Sequence, residues 1–413
     1  MTAPAPNRTR ITLGTVLVVG GCGFLGRNIV DQLLNFPSET DPSVASPGEK
    51  DARSNFPTLR ERFPEYDARV HVTDLRISHN RLPGAEYHGG DITSVESMLE
   101  VFRKVKPEVV IHTASPEVFR TDKELLHKVN VGGTRTLLEV ARGDHGNWGG
   151  QCKAFVYTSS ASVIHDAYSP LIHAKETWPL VRGELQGVYY TDTKAEADEL
   201  VLHANRNDSK MLTCALRPAG IFGEADTAVS KNILHLGLTG SDLKVRLQLG
   251  DNNNLFDFTY VANVAYAHAL AAHALLTSYA RYEAGQTEPL DHERVDGEAF
   301  NITNDEPIYF WDFARGLWAH AGRVVDTSRV IPLPVGALSV VGGIVETIYG
   351  LFGKTPSLTK GQIAFSSVTR YYSCQKAMER LGYRAIVPLE EGIIRAARHY
   401  AWTMAAARDK KTQ

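Results

Sequence analysis

The sequence predicts a doubly wound α/β fold, a parallel sheet covered by helices on both faces, with a smaller, mainly helical C-terminal domain. Three observations predict it. Short Val/Ile-rich runs alternate with helix-like stretches through the first half of the chain. Those runs are continuously apolar rather than alternating, as strands buried on both faces are. The first of them leads through a glycine-rich turn into a helical pattern. The run 15–19 (TVLVV) opens the sheet, and 24–34 repeats apolar residues at three- and four-residue spacing, the mark of a helix with one buried face. Residues 36–66 break the rhythm. Pro37, Pro42, Pro47, Pro57 and Pro64 stand there among Ser, Asp, Glu and Arg, which reads as a surface insertion or partly disordered loop. The pattern resumes with strand 70–73, helix 95–105, strand 109–113, helix 128–141, strand 155–158, helix 193–204 and strand 213–216. The polar stretch 278–297 reads as a loop, and after Ile302 the pattern is mainly helical. The expected division is 11–216, with about 256–304, for the sheet domain carrying the insertion at 36–66, and 217–255 with 305–413 for the substrate domain.

The most apolar segment is 334–353 (PVGALSVVGGIVETIYGLFG). Glu346 and several glycines interrupt it, so it falls short of the roughly 18 uninterrupted apolar residues of a membrane span. A packed or pocket-lining helix, or one lying on a membrane surface, is expected instead. The chain has 413 residues, 43% of them hydrophobic, and 44 Lys+Arg against 47 Asp+Glu for a net charge of −3. That excludes a disordered tail or a collagenous repeat, and the balance offers no basic surface for nucleic acid. Cys22, Cys152, Cys214 and Cys374 form no C-x-x-C pair, which fits a reducing compartment and suggests neither a zinc knuckle nor a disulfide framework. Arg8 and Arg10 before the apolar run 11–21 imitate a signal peptide, but cleavage there would destroy the glycine motif, so no cleaved signal is expected.

Gly20, Gly23 and Gly26 (GGCGFLG) give G-x-x-G-x-x-G between strand and helix. A backbone that must turn sharply and approach a pyrophosphate needs glycine there, and the helix N-terminus supplies amide donors, as in Rossmann-type dinucleotide sites. Asp74, closing VHVTD, is the candidate acceptor for adenosine ribose hydroxyls. It lies further from the glycines than the usual spacing of about 20 residues, an excess the insertion accounts for. Arg76 is the neighbour that would instead favour a 2′-phosphate. Asp91 in GGDIT reads equally as an adenine contact or a helix N-cap. Tyr190 and Lys194 form Y-x-x-x-K, a spacing that puts both on one helix face, where an ammonium lowers a phenol's pKa. Ser159 and Ser160 close the strand before them, at the carboxyl edge where ligands of such sheets bind.

In order, GGCGFLG, GDIT, VVIHTAS, VNVGGT, YTSSASV, YTDTK and LRPAGIFG resemble the extended short-chain dehydrogenase/reductase superfamily. DFTYVANVAYAHAL, GEAFNITNDEPIYFWDF and RYYSCQKAMERLGY narrow the resemblance to the 3β-hydroxysteroid dehydrogenase family, in its branch of fungal decarboxylating sterol-4α-carboxylate 3-dehydrogenases. It runs from about residue 15 to residue 398. The resemblance implies Ser160, Tyr190 and Lys194 as the catalytic triad. Gly20, Gly23, Phe24, Leu25, Gly26, Asp74, Asp91, Ile92, Ala114, Ser115, Lys194 and Pro218 would hold the cofactor, NAD with NADP as the alternative. Asn130 would shape the helix behind the triad and support a proton-relay water. The chain departs from the family pattern at Ala262, where an acidic residue is common, at Tyr266, where His is frequent, and in the 36–66 insertion.

The implied reaction is oxidation of a 3β-hydroxyl on a sterol or sterol-like polycycle, with loss of a C4 carboxylate and no need of a metal. The alternative is a non-decarboxylating 3β-hydroxysteroid dehydrogenase or a ketoreductase acting on a triterpenoid or another secondary metabolite. The expected setting is the cytosolic face of the endoplasmic reticulum or the cytoplasm, with membrane-surface contact through 334–353; a homodimer is compatible with it.

Overall fold

The Val/Ile runs line up as a parallel sheet. The computed structural model describes residues 10–34, 59, 62–118, 120–206, 209–336 and 360–412. Its elements begin with β1 (Ile11–Val19), α1 (Phe24–Leu34), β2 (Tyr66–Asp74), β3 (Glu86–Gly89), α2 (Val95–Val105), β4 (Val109–His112) and α3 (Lys123–His127). A π-helical turn (Lys128–Gly133) then runs into α4 (Thr134–Arg142), followed by β5 (Ala154–Thr158), β6 (Leu171–Ala174), α5 (Tyr189–His203), β7 (Leu212–Pro218) and β8 (Gly220–Phe222). Next come α6 (Val229–Thr239), α7 (Asp242–Arg246), β9 (Leu247–Leu249), β10 (Leu255–Phe256), β11 (Phe258–Tyr260), α8 (Val261–Glu283), β12 (Glu298–Ile302), β13 (Ile308–Tyr309) and α9 (Phe310–His320). The chain closes with β14 (Ile331–Leu333), α10 (Lys360–Ser367), β15 (Arg370–Tyr372), α11 (Gln375–Leu381) and α12 (Leu389–Thr412).

Seven strands form one all-parallel sheet in the order β12-β7-β5-β4-β1-β2-β3. Successive side chains of β1 serve opposite faces. Val16 and Val18 join the core under α1 and α8, with Ile29, Val30 and Ala265, while Leu17 and Val19 join the core under α2, α4 and α5, with Phe102, Leu137 and Val201. The order reverses between β1 and β4, which leaves a crevice at their carboxyl ends, the place where doubly wound sheets bind ligands. A third core holds the C-terminal part together. Phe222, Phe256, Phe258, Phe310, Phe313 and Trp318 lie in it, and the Phe258 and Phe313 rings stack 3.6 Å apart. A small mixed sheet, β13-β10-β15-β6, lies alongside.

The structure corrects several expected boundaries. Residues 278–283 are not loop: α8 continues to Glu283 because Leu275 and Tyr279 extend its buried stripe at i, i+4. The helix expected from 193 begins at Tyr189, and that expected from 128 begins at Lys123 and contains the π turn. Strand β5 ends at Thr158, so Ser159 and Ser160 follow it rather than close it. Of the insertion 36–66, residues 59 and 62–66 are described. Phe63 is buried with its ring 5.6 Å from that of Tyr266, so this end is docked rather than a free surface, and Tyr66 opens β2. The run 334–353 lies outside the described residues beyond Gly336. Among the described residues no helix is long and apolar enough to cross a membrane.

Candidate active site

The glycine turn is shaped by close approach. Gly20 has φ +83°, and a Cβ there would lie 2.7 Å from the Ala114 backbone; a Cβ on Gly26 would lie 2.2 Å from the Gly20 carbonyl oxygen. These two glycines let β1, α1 and the loop after β4 meet. Gly23 differs: a Cβ there would meet the Gly20 oxygen at 3.2 Å and otherwise open space. That side-chain-free face lies just before the N-terminus of α1, where the amides of Phe24, Leu25 and Gly26 begin the helix. At the end of β2 the Asp74 carboxylate accepts a hydrogen bond from the Cys22 amide at 3.2 Å, which places an acidic group beside the glycine turn. The turn, its open face and this acid fit a dinucleotide. Arg76 sits outside on the surface, its amide bonded to Asp74 at 3.3 Å.

Other expected cofactor residues are placed differently. The Asp91 carboxylate accepts from the amide and hydroxyl of Thr93 at 2.9 and 2.8 Å, and Ser94, not Asp91, caps α2. Ile92 is buried and packs under Gly133 of the π turn. Pro218 ends β7 opposite Ile302 of β12, at the sheet's carboxyl edge.

Tyr190 and Lys194 share one face of α5, as their spacing requires. Thr193 donates its hydroxyl to the Tyr190 carbonyl at 2.7 Å and so accepts from Asn130 Nδ2 at 3.0 Å. That orients the Asn130 amide: its Oδ1 faces Ser115, whose hydroxyl donates to it at 2.9 Å. Ser115 has one proton, already given to Asn130. Rotated, the same hydroxyl can instead donate to the Tyr190 phenol oxygen, 3.5 Å away, or to the Pro116 carbonyl at 3.2 Å. A polar network results, from Ser115 through Asn130 and Thr193 to the Tyr190 backbone, with the phenol beside its Ser115 end. The π turn carries Asn130 into this position, its own carbonyl occupied by the Thr134 hydroxyl at 2.6 Å.

Lys194 is buried. Its Nζ donates to the Thr158 carbonyl at 2.6 Å and lies 4.4 Å above the Tyr157 ring. Burial lowers its pKa from 10.5 to about 7, against the raising effect of Asp198. The expected lowering of the Tyr190 pKa by Lys194 is not found. Burial pushes the phenol up, only partly offset by the Ser115 hydrogen bond, because the ammonium turns back onto the strand end. Thr158 is held in turn. His268, kept neutral by burial, with its pKa near 4, donates from Nδ1 to the Val264 carbonyl and accepts the Thr158 hydroxyl at 2.7 Å on Nε2. Asp198 is locked to Arg217 of β7 by two hydrogen bonds, of 3.0 and 2.7 Å, both side chains being buried.

Ser160 caps a short 3-10 turn. Its hydroxyl meets Ser162 Oγ at 2.7 Å, and Ser162 reaches Thr191 Oγ1, beside Tyr190, at 3.3 Å. Ser159 is turned inward and buried, so of the two serines Ser160 is the one connected to α5. Ser162, Thr191 and Thr193 lie inside YTSSASV and YTDTK but were not singled out by sequence. Hydroxyl side chains interleaved with Ser160, Tyr190 and Lys194 were the available signal. His268 had none, since 110 residues separate it from Thr158.

Residues 17–335 match the family described as the 3-beta hydroxysteroid dehydrogenase/isomerase family. The chain is 34% identical over 383 residues to the decarboxylating sterol-4-alpha-carboxylate 3-dehydrogenase of Saccharomyces cerevisiae, covering 92% of this chain and 96% of that one. It is 35% identical over 383 residues to the enzyme of the same name in Candida albicans, with the same shares covered. The UDP-glucose 4-epimerase of Thermus thermophilus, solved in complex with NAD, superimposes with a TM-score of 0.59 at 21% identity, over 94% of this chain and 98% of that one, a likeness of fold.

Proposed function

The chain belongs to the 3-beta hydroxysteroid dehydrogenase/isomerase family, and on that premise we propose that it oxidises the 3β-hydroxyl of a 4α-carboxylated sterol to the 3-ketone, with loss of the carboxylate as CO₂. The observation that carries the reading is the network of Ser115, Asn130 and Thr193 around Tyr190, on the helix that also bears Lys194. Tyr190, as phenolate, takes the substrate's hydroxyl proton, and Ser115, exposed beside it, passes that proton onward by rotation of its hydroxyl. Ser160 orients the substrate oxygen. Lys194, poised near pH 7, turns from the Thr158 carbonyl to stabilise the phenolate when charged. A bound nicotinamide dinucleotide supplies the acceptor for the C3 hydride. Gly20, Gly23, Phe24, Leu25, Gly26, Ala114 and Asp74 would hold it, and the Asp74 carboxylate supports NAD over NADP because it accepts from ribose hydroxyls and repels a 2′-phosphate. Once C3 is a ketone, the C4 carboxylate stands β to a carbonyl. Its C–C bond breaks with release of CO₂, the electron pair enters the C3 enol, and C4 is then protonated.

The test is incubation of the enzyme with NAD⁺ and a 4α-carboxysterol, followed by NADH absorbance and product mass. NADH and a ketone lighter by one CO₂ are expected. A ketone that keeps its carboxylate would favour the second reading, a non-decarboxylating dehydrogenase, for which the departures at Ala262 and Tyr266 speak. Absence of both products overturns the proposal. An apolar polycyclic substrate and the apolar run 334–353 support a setting at the cytosolic surface of the endoplasmic reticulum.

A further inference from the structure

We propose that His71, Glu86 and His88 form a binding site for one divalent transition-metal ion of the zinc or copper class, at the β2–β3 edge of the sheet. In the parallel register His71 stands opposite Glu86, and Thr73 opposite His88. Alternation along each strand therefore puts all three side chains on one face. His71 Nδ1 lies 3.2 Å from His88 Nε2 and 3.6 Å from Glu86 Oε2, and the three ligand atoms lie within 4.8 Å of one another. Ligands about 2.0–2.1 Å from a tetrahedral ion stand about 3.3–3.4 Å apart; the His71–His88 and His71–Glu86 separations already match this within a few tenths of an ångström, and the exposed Glu86 carboxylate is the group that swings to close the third side.

The chemistry of the donors agrees. Burial lowers the pKa of both imidazoles, the form a metal requires, although Glu86 opposes that shift for each. Of the cations facing them, Arg69 acts on His71, and Lys104 acts on His88 but is itself paired with Glu100 at 2.7 Å. Two imidazoles and one carboxylate, with the outer side open to water, suit zinc or copper rather than magnesium or calcium, which favour oxygen. The site lies outside the Tyr190 machinery. It bridges the strand that ends in Asp74 to its neighbour, so an ion there ties the sheet edge together next to the adenosine-binding acid.

The test uses the full chain, stripped with a chelator and titrated with Co²⁺, Cu²⁺ and Zn²⁺. One saturable equivalent is expected at micromolar metal, with Co²⁺ visible absorption of a low-coordinate site, a two-nitrogen Cu²⁺ resonance signature, and a rise in melting temperature with Zn²⁺. His71→Ala and His88→Ala should abolish all three. Glu86 is about three-quarters exposed, at 74%, so Glu86→Gln leaves the fold intact and should weaken binding about tenfold. No saturable binding below millimolar metal means that the two histidines merely share a hydrogen bond, and overturns the proposal. Binding unchanged in Glu86→Gln and the histidine variants places the ion elsewhere and overturns it equally.

Discussion

Lys194 carries opposite consequences for chemistry and stability. Its pKa falls from 10.5 to about 7 on folding, so between those values the unfolded chain holds a proton that the folded chain gives up. Its contribution is therefore most favourable at high pH and is lost as pH falls toward 7. Lys194→Met should abolish turnover, yet its melting temperature relative to the parent should rise as pH is lowered from 10 to 7; a pH series of thermal melts checks this. Tyr190→Phe should cost about 10²- to 10⁴-fold in kcat, the usual worth of a placed acid-base group. Ser115→Ala removes a hydroxyl that can donate to the phenolate while leaving Asn130 bonded to Thr193. It should move the acidic limb of the kcat profile upward, whereas a merely structural loss would lower kcat without shifting its pH dependence. Tyr190, Lys194 and Ser160 were legible in sequence because chemistry demands those residue types at those spacings. The network of Ser115, Asn130 and Thr193 was not, since it depends on the π turn that carries Asn130 against α5.

Among the elements, the glycine turn separates packing from binding. Gly26→Ala drives a Cβ against the Gly20 carbonyl and should cost about 1–3 kcal/mol, seen as a lower denaturation midpoint. Gly23→Ala meets only the Gly20 carbonyl oxygen, at 3.2 Å, and should lower that midpoint less than Gly26→Ala does while raising the KM for NAD⁺. The strands could be read from their unbroken Val/Ile runs, since a parallel sheet buries both faces. The π turn at Lys128–Gly133 was invisible, because VNVGGT carries the same apolar spacing as ordinary helix and the extra residue per turn has no composition of its own. The end of α8 was missed for a related reason: SYARYE is polar overall, but its one buried side chain, Tyr279, continues the stripe.

Across the whole molecule, one asparagine joins parts far apart in sequence. Asn263 on α8 accepts from the Ile386 and Val387 amides, both at 3.0 Å, and donates to the Val387 carbonyl and to Asn304 Oδ1. Asn263→Ala takes the acceptor from the Ile386 and Val387 amides, while the Val387 carbonyl keeps Asn304 Nδ2 and Asn304 Oδ1 keeps the Tyr260 amide; the buried Val387 amide left unpaired costs about 1–3 kcal/mol. It should lower the melting temperature by several degrees and expose the segment leading into α12 to protease first. The large sheet has a related dependence on distant chain. β7 is buried along its whole length and is flanked on one side by β5, while its other neighbour, β12, is not made until Glu298–Ile302. A nascent chain that has emerged past Pro218 but not yet to Ile302 carries an apolar strand with unpaired amides as its sheet edge, a template for aggregation. The interval between those two points of synthesis is when this protein most needs a chaperone, and a gene truncated within it should yield insoluble product rather than a working half.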